Sequence, residues 1–232
     1  MEDTNFYEAI IDYSYLLEKN YPQKSILKLI GDKYMLNRVQ RTILYRGITT
    51  SEKSKNRNLK LIKEDFIKSE KLYIDCYNVI YTIGSYLNGN TLFVGTDNLL
   101  RDASEIHGKI LRTKLLDRSL NLLFGYLKTL KIAEVILIID EPVNHSKSLC
   151  KKINELIKKI GIKAKAEINK SPDIYLKTLK EGICATSDSV IIDKSNIKIF
   201  DLARNTLNFH FSPEFLFNFH YQNPADLIHL KL

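Results

Sequence analysis

Four aspartates stand where a chain of this pattern would gather them. Asp75 closes the apolar run Leu72-Tyr73-Ile74, Asp140 closes Val135 to Ile139, Asp188 follows Ile183-Cys184-Ala185-Thr186-Ser187, and Asp173 follows Ser171-Pro172. A single aspartate after a strand is ordinarily a turn residue or a helix cap. Four aimed at one edge are harder to explain that way, because clustered carboxylates repel one another unless hard divalent cations such as Mg²⁺ or Mn²⁺ neutralise them through oxygen ligands. Those ions suit phosphodiester hydrolysis, one activating water and another stabilising the leaving oxygen. The expected chemistry is attack of water on phosphorus, with no protein nucleophile.

Competing chemistries lack their residues. His107, His145, His210, His220 and His229 are scattered without zinc-ligand spacing, and Cys76, Cys150 and Cys184 show no Cys-x-x-Cys pair. There is no G-x-x-x-x-G-K-S/T, no G-x-G-x-x-G and no G-x-S-x-G, so the NTPase, dinucleotide-binding and nucleophile-elbow readings fall away. An odd number of cysteines fits a reducing, cytoplasmic compartment. The acidic start MEDTNFYEAIIDY is unlike a signal peptide, and no apolar run approaches a bilayer-spanning length, so no membrane role is expected.

The elements that must position these acids read as a parallel sheet with crossover helices from about residue 69. Strands are expected at 72–74, 135–139, 163–168 and 183–186, with helices at 112–130, 146–160 (closed by Gly161) and after Ser171-Pro172. Val190-Ile191-Ile192 with 197–200 reads as a final hairpin. If the strands are parallel, Asp75, Asp140 and Asp188 emerge at carboxyl ends, the edge at which open α/β sheets bind ligands.

The N-terminal stretch reads differently. Phe6, Ile10, Tyr13 and Leu17 have helical spacing that stops at Asn20-Tyr21-Pro22; a short helix ends at Gly31, and Asn37 caps another running to Arg46, which Gly47 closes. The outline is that of a helix-turn-helix. On the last helix Val39 and Ile43 share the packing side, and Arg38, Arg41 and Tyr45 share the other. Residues 47–58, polar and without apolar period, read as a flexible connection. Residues 23–63 hold 11 Lys or Arg against Asp32 and Glu52, a segment charge of +9, whereas the remaining 24 basic and 25 acidic residues sum to −1. A cationic surface so concentrated is expected of a phosphate-backbone binder, although a solvated basic cap would read the same way.

At the acids the sequence carries a resemblance. Ile74-Asp75-Cys76-Tyr77-Asn78-Val79, Ile138-Ile139-Asp140, Pro172-Asp173 and Ala185-Thr186-Ser187-Asp188 follow in order the pattern of PIN-like nucleases, closest to the NYN branch, over about residues 70–200. The full chain also resembles an archaeal family of unassigned activity that joins such a domain to a basic helical module, with Tyr21-Pro22 and Leu44-Tyr45-Arg46-Gly47 in the latter. The PIN-like resemblance implies Asp75, Asp140, Asp173 and Asp188 as metal ligands, with Asn78 orienting Asp75 or the attacking water and Thr186 and Ser187 shaping the Asp188 turn. Cys76 replaces the usual Gly and Pro172 the usual Ala. The family also draws a further acid from a helix after the first strand. Asp97, Asp102 and Glu105 are the candidates; a helix over 99–106 would set Asp102 and Glu105 on one face and favours Asp102. Arg101 beside it would bind phosphate or neutralise the cluster.

The expected architecture is therefore α/β: a Rossmann-like, PIN-type parallel sheet flanked by helices over residues 69–232, preceded by a small all-α basic module over residues 1–68. The expected activity is that of a ribonuclease dependent on Mg²⁺ or Mn²⁺, with RNA preferred to DNA as partner. Arg38, Arg41, Arg46, Arg101, Lys147 and Lys151 are expected to hold the nucleic-acid backbone. The aromatic tail, residues 205–232, reads as core or subunit interface and so admits a homodimer. The alternative is a nucleic-acid-binding regulatory or scaffold protein with a silent PIN-like domain.

Overall fold

The computed structural model describes residues 4–104, 114–215 and 217–219. In chain order its elements are α1 (Thr4–Glu18), α2 (Gln23–Lys33), α3 (Arg38–Gly47), α4 (Ser51–Asn58), a 3-10 turn (Glu64–Ile67), β1 (Lys71–Asp75), α5 (Cys76–Leu87), β2 (Leu92–Val94) and β3 (Leu100–Asp102). There follow α6 (Lys114–Leu127), β4 (Glu134–Asp140), α7 (Ser146–Ile160), β5 (Ala164–Asn169), α8 (Pro172–Thr178), β6 (Ile183–Ala185), α9 (Ser189–Lys194), β7 (Lys198–Ile199), α10 (Leu202–Phe211) and β8 (Phe217–Asn218). They fall into two units: residues 1–59, 89–105 and 214–232, and residues 60–88 and 106–213.

The first unit is built on α1 to α4. Phe6, Ile10, Tyr13, Ile26, Ile30, Ile43 and Leu44 form its buried cluster, and Phe93 of β2 and Phe219 after β8 complete it. β2 pairs antiparallel with β3 and parallel with β8. A cut at 68/69 is therefore not how the chain packs. The insertion around Phe93 returns to the helices because their apolar faces need a further partner, while residues 60–62 join the other unit, bonding to Ile199 at the edge of its sheet.

Three local expectations change in this unit. Gly31 lies inside α2 rather than ending it; a Cβ there would stand 2.1 Å from Arg41 Nη1, so the glycine makes room for a guanidinium and does not break the helix. Residues 51–58 are helical despite their polarity, because the Thr50 side chain caps α4 and Arg57 provides its buried anchor. The capping box of Asn37 and Gln40 starts α3 as expected, but Val39 is exposed and Ile43 packs with Leu44 instead.

The second unit is a five-stranded, wholly parallel sheet of order β5-β4-β1-β6-β7 with helices on it. Strands buried on both faces carry continuous apolar runs, as in Val135 to Ile139. The chain proceeds outward through β1, β4 and β5, then returns to β6 and β7. Right-handed crossovers consequently place α6 and α7 on one face and α8 and α9 on the other. The expected hairpin over 190–200 is instead α9 followed by a parallel strand. The Asp188 carboxylate accepts hydrogen bonds from the Val190 and Ile191 amides and so starts a helix in a β-branched stretch. Gly161, in the left-handed region at φ +74°, closes α7 as its position suggests.

Candidate active site

The direction of chain travel reverses between β1 and β6, and at that switch point an open parallel sheet leaves a crevice outside its carboxyl ends. Asp75 is the last residue of β1 and Asp188 follows β6 by way of Thr186 and Ser187, so the two flank the crevice. Asp140 ends β4 on the other side of β1, and Asp173 lies in the first turn of α8, the helix leading from β5 back to β6. The sheet thus brings all four aspartates to one edge of a single unit.

Their electrostatics bear this out. Burial pushes the Asp75 carboxyl up to about 7; Thr186 opposes the rise, and the charges of Asp188 and Asp173 add to it. Burial, then the Asp173 charge, raises Asp140 as well. Asp173 stands largely exposed, 3.9 Å from Lys177. Beneath the crevice, burial first and then Asp75 and Asp188 hold the Cys184 thiol far above its usual range, so it remains an inert, protonated filler.

A small hydrogen-bond lattice fixes the loop after β6. Thr186 donates from its hydroxyl to Asp75 Oδ2 at 2.8 Å and accepts from the Asp188 amide at 3.1 Å. Asn78 Oδ1, on the first turn of α5, accepts from the Ser187 amide at 2.9 Å and from the Ser187 hydroxyl at 3.1 Å. Asn78 therefore ties α5 to the Asp188 turn and makes no side-chain bond to Asp75. Its role is to clamp the two sides of the switch point together. Replacing Thr186 by Val removes both the donor to Asp75 and the acceptor for Asp188. The expected result is a loss of about 1–3 kcal/mol at pH 8, largely recovered by Thr186→Ser, as measured by urea denaturation.

The other candidates are placed differently. Asp102 lies on β3, not on a helix, in the unit that excludes the four aspartates. Its Oδ1 accepts from Ser104, and Arg46 stands 3.6 Å from Oδ2 while donating to the Asp102 carbonyl. Asp97 is 1% exposed and is gripped by Arg101 through both carboxylate oxygens and by Arg57. Arg101 is thus a buried structural cation rather than a phosphate contact. Glu105 lies outside the described residues. Arg41 is also engaged, donating to Asp32 Oδ1 and to the Leu36 carbonyl. Arg38 stays on the surface of α3, and Lys147 and Lys151 stay on the surface of α7, which begins beside the carboxyl end of β4. The sequence signal that could have found the buried triad is Arg57, the last cation of a polar octamer with no apolar residue to anchor it.

Among the described residues, no group of three or more His, Cys, Asp or Glu side chains is gathered tightly enough to hold a metal ion as it stands. No helix among them is long and apolar enough to cross a membrane.

A parallel sheet with four aspartates at its carboxyl edge and a separate helical unit define the class of chain. Comparison with known proteins makes it particular: residues 64–205 match the family described as a domain of unknown function (DUF5616), and the chain belongs to that family. Residues 5–60 match a second, described as a protein of unknown function (DUF434). The two matches meet where residues 60–62 join the sheet. An uncharacterized protein of Methanocaldococcus jannaschii is 32% identical over 199 residues, spanning 85% of this chain and 94% of its own. No solved structure matches the chain.

Proposed function

We propose that this protein is a metal-dependent nuclease of PIN-like, NYN type acting on RNA. The observation that carries the reading is the Asp75 carboxyl. It is held near pH 7 by burial and by the charges of Asp188 and Asp173, at the crevice of a parallel sheet, with no lysine or arginine paired to it among the described residues. A fold does not maintain mutually repelling carboxylates without cost, and a divalent cation is the partner that relieves it. The donor chemistry fits: Asp75, Asp140, Asp173 and Asp188 offer only hard oxygens, as Mg²⁺ and Mn²⁺ require. Such an ion, when bound, supplies charge neutralisation and an activated water for in-line attack on phosphorus.

The chain's own residues would prepare that site. Asp75 is held by Thr186, the Asp188 turn is clamped by Asn78, and Asp140 and Asp173 complete the ring of carboxylates. Lys147 and Lys151, at the start of α7, would take up backbone phosphates beside Asp140. Asp140→Asn is expected to abolish Mn²⁺-dependent cutting of labelled single-stranded RNA with folding intact. Parallel assays on DNA decide the substrate. Undiminished cutting by the variant, purified free of host nuclease, would overturn the assignment.

That no three ligating side chains among the described residues are gathered to hold a metal ion favours one other reading, a nucleic-acid-binding protein whose sheet domain is silent. That protein would bind RNA without Mn²⁺ and cut nothing. On either reading, Lys147→Glu with Lys151→Glu is expected to weaken RNA binding and to flatten its dependence on salt by about 1.4 in log–log slope, read by fluorescence anisotropy.

A further inference from the structure

One polar group beside the acids has no use in the fold as it stands. Tyr77 is 8% exposed, and its hydroxyl is sealed from solvent with no hydrogen-bond partner among the described residues. Its ring is fixed, stacked on Tyr81 with centroids 5.5 Å apart and planes 20° from parallel. An orphaned buried hydroxyl is costly, and a phenylalanine would fill the same space without the cost.

The topology says what lies nearby. Asp75 is level with Ile138 of β4, Asp140 ends that strand two residues on, and α5, which carries Tyr77 in its first turn, packs against β4. The Tyr77 hydroxyl lies within the field of the Asp140 carboxylate. That carboxylate accepts no side-chain hydrogen bond among the described residues. A buried donor without an acceptor therefore lies in the neighbourhood of a carboxylate without a side-chain donor. They are unpaired in an arrangement where no three ligating side chains among the described residues are gathered to hold a metal ion.

We propose that Tyr77 is a positioning residue for Asp140, its hydroxyl donating to one Asp140 oxygen when the carboxylates draw together around a divalent cation. This rests on the reading of the acidic edge as a metal site. The hydroxyl then holds the Asp140 carboxylate in the orientation that points its other oxygen into the crevice. The cost of the orphaned group in the metal-free protein is recovered on binding, which makes the cation bind more tightly.

The test is Mn²⁺ titration by calorimetry on the full-length wild type, Tyr77→Phe, Asp140→Asn and the double variant, with melting temperatures recorded without metal. Tyr77→Phe should melt no lower than wild type yet bind Mn²⁺ roughly tenfold more weakly, the size of a hydrogen bond to a charged group. In the Asp140→Asn background the same change should have little further effect. Because the chain has 13 tyrosines and no tryptophan, Mn²⁺ should also produce a tyrosine absorbance difference in wild type that Tyr77→Phe lacks. Undiminished affinity in Tyr77→Phe, or an equal loss in both backgrounds, would overturn this proposal alone. Failure of wild type to bind Mn²⁺ at all would overturn the metal-site reading and this proposal with it.

Discussion

Asp75→Asn is expected to make the metal-free protein more stable at pH 8 while removing its divalent-cation affinity. The Asp75 carboxyl is raised from its ordinary 3.8 to about 7 by burial, with the charges of Asp188 and Asp173 adding to it. The folded state thus holds this proton more tightly than the unfolded chain does. Its contribution to stability is complete below about pH 4 and is lost as pH rises to 7 and beyond. A difference of roughly three pH units corresponds to at most about 4 kcal/mol, and relaxation around the ionised group brings the realised cost to about 2–4 kcal/mol. Asparagine never ionises, and its carbonyl can still accept from Thr186, so the variant escapes the loss. Thermal melts should show wild type and variant close together near pH 4 and the variant higher by roughly 5–10 °C at pH 8. Mn²⁺ should raise the wild-type melting temperature at pH 8 and leave the variant's unchanged. Proton and cation compete for the same oxygens, so wild-type Mn²⁺ affinity should climb with pH until about 7 and then level off. A variant less stable than wild type at pH 8 would show that the Asp75 charge is supported by the fold rather than merely tolerated.

What could be read in the sequence follows from which interactions are local. The parallel sheet was legible because β1 and β4 are short apolar runs closed by their own aspartates, as with Val135 to Asp140, and α7 because its apolar stripe and Gly161 lie within one segment. The Asp188 turn was half legible. Its carboxylate reads as a ligand but not as the cap that converts Val190-Ile191-Ile192 from strand to helix, a competition settled by two hydrogen bonds that the Val190 and Ile191 amides donate to Asp188 Oδ1. Asn78 stands in the opening motif, yet its partner, Ser187, is 109 residues away, a distance that periodicity does not span. The same holds for Gly31 and Arg41, where the glycine signals close approach of a side chain rather than a helix end. The least legible feature was the β2–β3 insertion. Its short strands carry too few residues for a pattern, and its one strongly placed acid, Asp97, reads like a metal ligand until Arg57 is seen beside it.

Asp97→Asn carries the opposite expectation from Asp75→Asn. Asp97, Arg57 and Arg101 form a buried ion triad in the helical unit, with Arg101 bidentate at 2.7 Å on each oxygen and Arg57 at 2.8 Å. Burial alone would raise the Asp97 carboxyl, but the two guanidinium groups more than offset it and hold it below its usual range. The glycine two residues earlier belongs to the same arrangement: a Cβ on Gly95 would lie 2.7 Å from Arg101 Nη1 and 2.8 Å from Asp97 Oδ1. A buried pair is a weak source of net stability, but removal of one partner leaves the other charge stranded, which costs about 3–5 kcal/mol. Asparagine keeps the shape and one acceptor and strands two cations, so Asp97→Asn should lower the melting temperature at pH 7 by roughly 10 °C. Because the Asp97 pKa is depressed in the fold, the stability it provides is present above the unfolded pKa near 4 and is lost as pH falls through the folded value. The gap between wild type and Asp97→Asn should therefore close in acid, whereas the gap at Asp75 opens toward base with the reverse sign. One series of pH-dependent melts on the two variants separates a carboxylate that the fold needs from one that it pays to keep.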